Sequence, residues 1–179
     1  MFSTGAGGEE DRVKAIRIIA LVVAFLATLG PIANLLELPS KLTLDGALWL
    51  SIQQNLYRGW GTVFGPVEIA ALLCSLALFL WTKGDRGHRN GYLIAVVCYL
   101  SMIAYFFLFN DMVNQSLQHW TAATLPHDWT QYRLKWETGH ALAALFSVVA
   151  FVVLLQAYIR ETLMHHASQN SNVQFVRSS

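Results

Sequence analysis

The chain has 179 residues, 55% of them hydrophobic and only 13% charged, with a formal net charge of +1. A soluble globular domain carries about 25% charged residues, so this composition excludes an ordinary water-soluble fold as the default. The near-neutral charge, without any Lys/Arg cluster, excludes a phosphate-tracking surface and with it nucleic acid as a partner. The length suits one compact unit. Cys74 and Cys98 lie inside apolar runs and form no CxxC, which reads as two small buried hydrophobes.

In chain order, residues 1–13 form a short polar tail ahead of the first apolar run. Residues 14–160 contain four runs near bilayer length, which takes roughly 20 apolar residues. The first, "IRIIALVVAFLATLGPIANLL" at 16–36, is followed by "ELPSK" without a small-x-small cleavage site, so it reads as a membrane helix and not as a removable signal. Segment 43–62 places Leu44, Leu48, Ile52 and Leu56 at four-residue spacing, with Asp45, Gln53 and Gln54 on other faces. That pattern predicts a short amphipathic helix at the interface or capping the bundle. The remaining spans are 63–81, 91–109 and 139–159, and residues 161–179 form a polar tail expected to be disordered. Hydrocarbon offers no hydrogen bonds to a backbone, so each span is helical. The predicted fold is therefore all-α, a four-helix integral membrane bundle with the lipid bilayer as its first partner.

Basic residues set the topology. Arg12, Lys14, Arg17, Lys83, Arg86, Arg89, Arg160 and Arg177 fall on one side, against Lys41, Arg58, Arg133 and Lys135 on the other. The positive-inside rule puts both termini in the cytoplasm of a multi-pass protein of the cell's inner membrane. Trp49, Tyr57, Trp60, Trp120, Trp129, Tyr132 and Trp136 then gather on the outer side, where aromatics anchor at headgroup level.

Several polar side chains do not suit an apolar setting. Glu68 lies within the second span, and an ionisable group there costs roughly 2.5–3.5 kcal/mol on insertion scales. Asn34 and Glu37 share a face at the end of the first helix, with Lys41 expected beyond Pro39. Asn110 and Asn114 stand four apart where the third helix leaves the membrane. In "DWTQYRLKWETGH", residues 128–140, Arg133, Trp136, Glu137 and His140 fall on one helical stripe with His140 innermost. Each of the four helices thus brings a polar group to what spacing suggests is one outer level. A His and carboxylates from different helices match the metal sites of helix bundles, and equally a structural salt-bridge layer pairing Arg133 with Glu137 and Arg58 with Glu68. No GxSxG, HExxH, P-loop, GxGxxG or CxxCH occurs, so no metal or cofactor is assigned by motif. His140 alone at membrane depth argues against a bis-His haem. The apolar inner half argues against an ion channel.

Three stretches, "LLELPSKLTLDGALWLSIQQNLYRGWG", "FNDMVNQSLQHW" and "DWTQYRLKWETGHAL", resemble marker segments of small, mostly bacterial four-helix membrane proteins classed with fungal anthrone oxygenases. The resemblance spans about 16–160, and its most specific parts are the Asn-x-x-x-Asn pair and the Trp-Glu-x-Gly-His string. It implies that Asn110, Asn114, Arg133, Trp136, Glu137 and His140 are signature polar residues. The Glu37–Pro39–Lys41 and Gln54–Tyr57–Arg58–Gly59–Trp60 stretches stand beside them.

Two readings fit these residues. In the first, an oxygenase-like enzyme binds a hydrophobic aromatic or quinone-like small molecule at the outer mouth of the bundle. His140 acts as base, Glu137 or Glu68 orients it or takes up the proton, and Asn110 and Asn114 hold an enolate oxygen. Trp136, Arg133, Tyr57, Arg58 and Glu37 contact the substrate. In the second, the protein is a non-enzymatic lipid- or partner-binding module whose polar layer is structural. No feature of the sequence specifies an oligomeric state.

Overall fold

A computed structural model describes residues 6–82 and 86–178. Lys83, one of the basic residues that set the expected topology, and the first five residues of the N-terminal tail lie outside the described residues. Among the described residues six α-helices succeed one another: α1 (Ala6–Lys41), α2 (Gly46–Asn55), α3 (Trp60–Trp81), α4 (Arg86–Tyr105), α5 (Met112–Leu117) and α6 (Trp129–Ser178). A π-helical turn, Phe106–Asp111, joins α4 to α5. Four segments are long and apolar enough to cross a membrane, Arg12–Lys41, Trp60–Trp81, Arg86–Leu117 and Trp129–Met164, and each contains one expected span. The chain is an all-α, multi-pass membrane protein.

The long helices pack as a ring in the order α1, α3, α4, α6, with α6 closing against α1 and α3 diagonal to α6. Small side chains make this close packing workable. Ala20, Ala24 and Ala27 of α1, Ala71 of α3, Ala95 of α4, and Ala150 and Ala157 of α6 are all buried at the shared core. Between membrane helices there is little hydrophobic drive, so close backbone approach and dispersion hold the bundle. Leucine, valine and isoleucine instead cover the outside, as Leu73, Leu80, Val97 and Val152 do.

Two local features depart from the sequence-based expectation. α1 runs through Pro31 and Pro39 to Lys41 instead of ending at the second proline. Pro39 falls in the last turn, where its missing N–H forfeits one hydrogen bond, and the ion pairs of Lys41 hold the end. Around α2 only part of the stripe faces outward: Leu48 and Leu56 are exposed, Leu44 and Ile52 are half-buried, and Trp49, Leu50 and Gln53 are the buried positions. Trp49 is therefore no headgroup anchor; it lies at 0% exposure in a second core with Leu50, Val113, Leu117 and Trp136. The backbone of α6 runs on as helix from 161 to Ser178. That segment contains neither Gly nor Pro to stop it.

The π turn, which no sequence pattern announced, determines how α4 meets α6. Such a turn inserts one residue into the helical ladder and re-aims the side chains beyond it. Here it directs buried Asn110 onto α6, where its Nδ2 donates to the Trp136 carbonyl at 2.9 Å. Gly139 makes room: a Cβ built there would fall on the Asn110 amide and crowd Phe109. The glycine of the Trp-Glu-x-Gly-His string is thus a close-approach residue. Gly139→Ala is expected to destabilise the bundle by about 1–3 kcal/mol through overpacking, read as a lower melting temperature in detergent. Alanine at Gly61, where a Cβ meets nothing within 4 Å, should leave stability unchanged or raise it, because Ala is the better helix former.

Candidate functional site

The polar end of the bundle is organised around Lys41, a residue that sequence spacing placed beyond the first helix. Because α1 continues through Pro39, Asn34, Glu37 and Lys41 lie along one face. Lys41 is only 3% exposed. Its Nζ donates to Asn34 Oδ1 at 2.7 Å and lies 3.3 Å from Glu37 Oε2 and 3.6 Å from Glu137 Oε2. Two ring faces complete its surroundings, Tyr57 with its centroid at 4.7 Å and Trp136 at 5.0 Å. A buried ammonium needs such a shell, because an uncompensated charge out of water costs several kcal/mol.

Around that centre the structure gathers most of the residues expected at the site. The Tyr57 hydroxyl donates to Glu37. Burial first, and then the Glu37 carboxylate, raises the Tyr57 phenol well above its ordinary value, so it stays protonated. Glu137 is 4% exposed; Oε2 faces Lys41, and Oε1 has no hydrogen-bond partner among the described residues. His140, one turn further into the bundle, packs edge-on against Trp136 with ring centroids 4.0 Å apart. Tyr57 meets Trp136 at 5.5 Å and Trp60 at 5.0 Å, so the aromatics form a connected wall.

The two asparagines both fasten Trp136. Asn110 binds its carbonyl, and Asn114 Oδ1 accepts from its indole N–H at 2.9 Å. Arg133 donates to the carbonyls of Lys41 and Leu44 at 3.1 and 3.0 Å and stacks on Trp129 at 4.7 Å. It therefore caps the end of α1, where backbone carbonyls lack helical partners. The expected Arg133–Glu137 pair does not form among the described residues, and Lys41 takes that place. Arg58 is exposed and makes no ion pair with Glu68. Glu68 is not at this level at all. Gly30 of α1 faces the Phe64 ring, which sets Glu68, four residues further along α3, roughly 20 Å from Lys41 along the axis. It lies in the middle of the bundle within electrostatic reach of Tyr99.

Lys41 and Asn34 were therefore the residues missed in assembling the site. The usable signal was their spacing of i and i+7, which joins them on one face only if Pro39 is read as part of the helix. Among the described residues no three His, Cys, Asp or Glu side chains converge as metal ligands.

The family described as anthrone oxygenase has a model that matches residues 54–153, more than half of the chain. That stretch includes the asparagine pair and the Arg133–His140 stripe. Neither curated proteins nor solved structures yielded a match.

Lys41→Met is expected to destabilise the fold by roughly 3–5 kcal/mol, because it strands Glu37 and Glu137 without their cation. The Lys41→Met/Glu137→Leu double variant, which also removes the buried carboxylate, should recover part of that loss. Thermal melts of the three purified proteins in one detergent measure the coupling.

Proposed function

Because the chain belongs to the anthrone oxygenase family, we propose that it binds a hydrophobic aromatic ketone or quinol at the polar end of the bundle and oxidises it with dioxygen. The observation that carries this reading is the buried, unpartnered Glu137 Oε1 beside the aromatic wall. Lys41 holds the other oxygen of the same carboxylate and leaves this one free as a proton acceptor. The methylene of an anthrone-type ring is acidic because its conjugate base is an aromatic enolate. Glu137 takes that proton. His140, three residues on and on the same face of α6, makes no hydrogen bond to a described residue and accepts one from the Glu137 carboxyl once that group holds the proton. The enolate's electrons then reduce dioxygen, and loss of water from the resulting hydroperoxide leaves the quinone carbonyl. Tyr57, Trp60 and Trp136 supply faces for the ring system.

In this reading Asn110, Asn114 and Arg133 position Trp136 and the end of α1 and do not touch the substrate. Glu37 and Tyr57 order Lys41, and Glu68 takes no part. The eight-to-four distribution of basic residues supports placing this end at the outer face of the membrane, with both termini cytoplasmic. A second reading, a non-enzymatic membrane protein whose polar layer only locks the bundle, draws support from the hydrogen bonds that already occupy Asn110, Asn114 and Arg133.

Two measurements on purified protein in micelles separate these readings. Oxygen uptake with anthrone, above the micelle-only background, is expected for the wild type, with roughly hundred-fold loss in Glu137→Gln and a smaller loss in His140→Gln. Glu68→Gln should behave as wild type. Under nitrogen, exchange of the anthrone methylene with deuterated water should be accelerated by the wild type and not by Glu137→Gln. Wild-type protein that accelerates neither reaction leaves only the structural reading standing.

A further inference from the structure

Three polar atoms in the outer core are buried and lack partners among the described residues: Glu137 Oε1, Trp49 Nε1 and Gln53 Nε2. The first is the acceptor assigned to the substrate proton. The other two are N–H donors on α2, four residues apart on its buried face, where side chains stand about 5–6 Å apart at Cβ. Trp49 is 0% and Gln53 7% exposed, so solvent does not satisfy them from outside. Leaving a buried donor unpaired costs about 1–3 kcal/mol. Their neighbour Gln54 shows what a structural glutamine in this helix does: its Nε2 donates to the carbonyls of Leu117 at 2.7 Å and Trp120 at 2.9 Å, tying α2 to the end of α5. Nothing comparable receives Trp49 and Gln53.

Their surroundings are aromatic. The Trp49 ring lies 5.7 Å from that of Trp129, and Trp49 shares one buried cluster with Trp136, the residue before Glu137. A single carbonyl oxygen has two lone pairs and accepts from two N–H donors at once. Two N–H donors on α2 and a free carboxylate oxygen on the residue after Trp136 supply the two functions that an enolisable ring ketone needs, a donor for its oxygen and an acceptor for its ring proton.

We infer that Trp49 Nε1–H and Gln53 Nε2–H hold the keto oxygen of the aromatic substrate and its enolate oxygen once the ring methylene is deprotonated. This rests on the reading of the polar end as an anthrone-type oxygenation site. In the step concerned, the C–H bond breaks, its electron pair moves through the ring onto the held oxygen, and the proton forms an O–H bond at Glu137. Donors aimed at an oxygen that gains charge stabilise the enolate more than the ketone, so their removal lowers kcat more than it raises KM.

The test compares full-length wild type, Trp49→Phe and Gln53→Leu in micelles, with folding checked by circular dichroism. Each variant is expected to lose roughly ten- to hundred-fold in anthrone kcat, with KM changed less. A second readout is the infrared carbonyl band of bound anthraquinone. In the wild type it should lie below its position in protein-free micelles, and in each folded variant it should move back towards that position. Anthracene, which has no carbonyl, should bind wild type and variants alike. Gln53→Leu, close in volume, carries the test if Trp49→Phe fails to fold. Folded variants that keep wild-type kcat and the shifted band overturn the donor assignment while leaving the oxygenase reading intact. An unshifted band in an active wild type means that the donors take water, and overturns it as well. A wild type that neither binds anthraquinone nor oxidises anthrone overturns both.

Discussion

One buried ammonium orders the polar end of this protein. Lys41 reaches Asn34 and Glu37 on its own helix, Glu137 on α6, and the ring faces of Tyr57 and Trp136. In a region with little water, each of these partners is held there by the cost of leaving the charge alone. Helices α1 and α6 therefore cannot slide past one another at this end without separating the Lys41–Glu137 pair. Arg133 adds a second tie between them by capping the carbonyls of Lys41 and Leu44.

At the polar end, further ties to that pair run through Trp136. Its carbonyl is bound by Asn110 and its indole by Asn114, so at this end the π turn and α5 are both fastened to α6 at one residue. The same ring then meets Tyr57 from the α2–α3 connection and His140 one turn below. Each fastening takes up one of the polar groups at this end. Among the described residues of this end, Glu137 Oε1 and the N–H donors of Trp49 and Gln53 are left buried without a hydrogen bond.

At the opposite end the arrangement is simpler. Arg17 of α1 pairs with Glu161 of α6, and the helices between the two ends meet through alanine and aromatic contacts such as Phe25 with Phe151. The α1–α6 contact is thus pinned by ion pairs at both ends and packed by small residues between them. Glu68 and Tyr99 interrupt that apolar middle without reaching the polar layer.

Four long apolar runs, one amphipathic segment and the Arg133–Trp136–Glu137–His140 stripe were legible from residue order alone. Span length and helical periodicity are local properties that a bilayer converts directly into helices. Which polar groups meet was not local. Spacing suggested Arg133 with Glu137 and Arg58 with Glu68, but the charge that reaches Glu137 belongs to Lys41, far away in sequence and past a proline that nominally ends its helix. The depth of Glu68 depended on the stagger of α3 against α1, which the contact of Gly30 with Phe64 decides. The roles of Asn110 and Gly139 depended on a π turn whose register no hydrophobic pattern encodes. Sequence by itself determined that this protein is a membrane bundle with chemistry concentrated at one end. Only the tertiary structure decided which of those groups are bound to each other and which are left free, because pairing in a low-dielectric interior is settled by distances of a few ångströms between different helices.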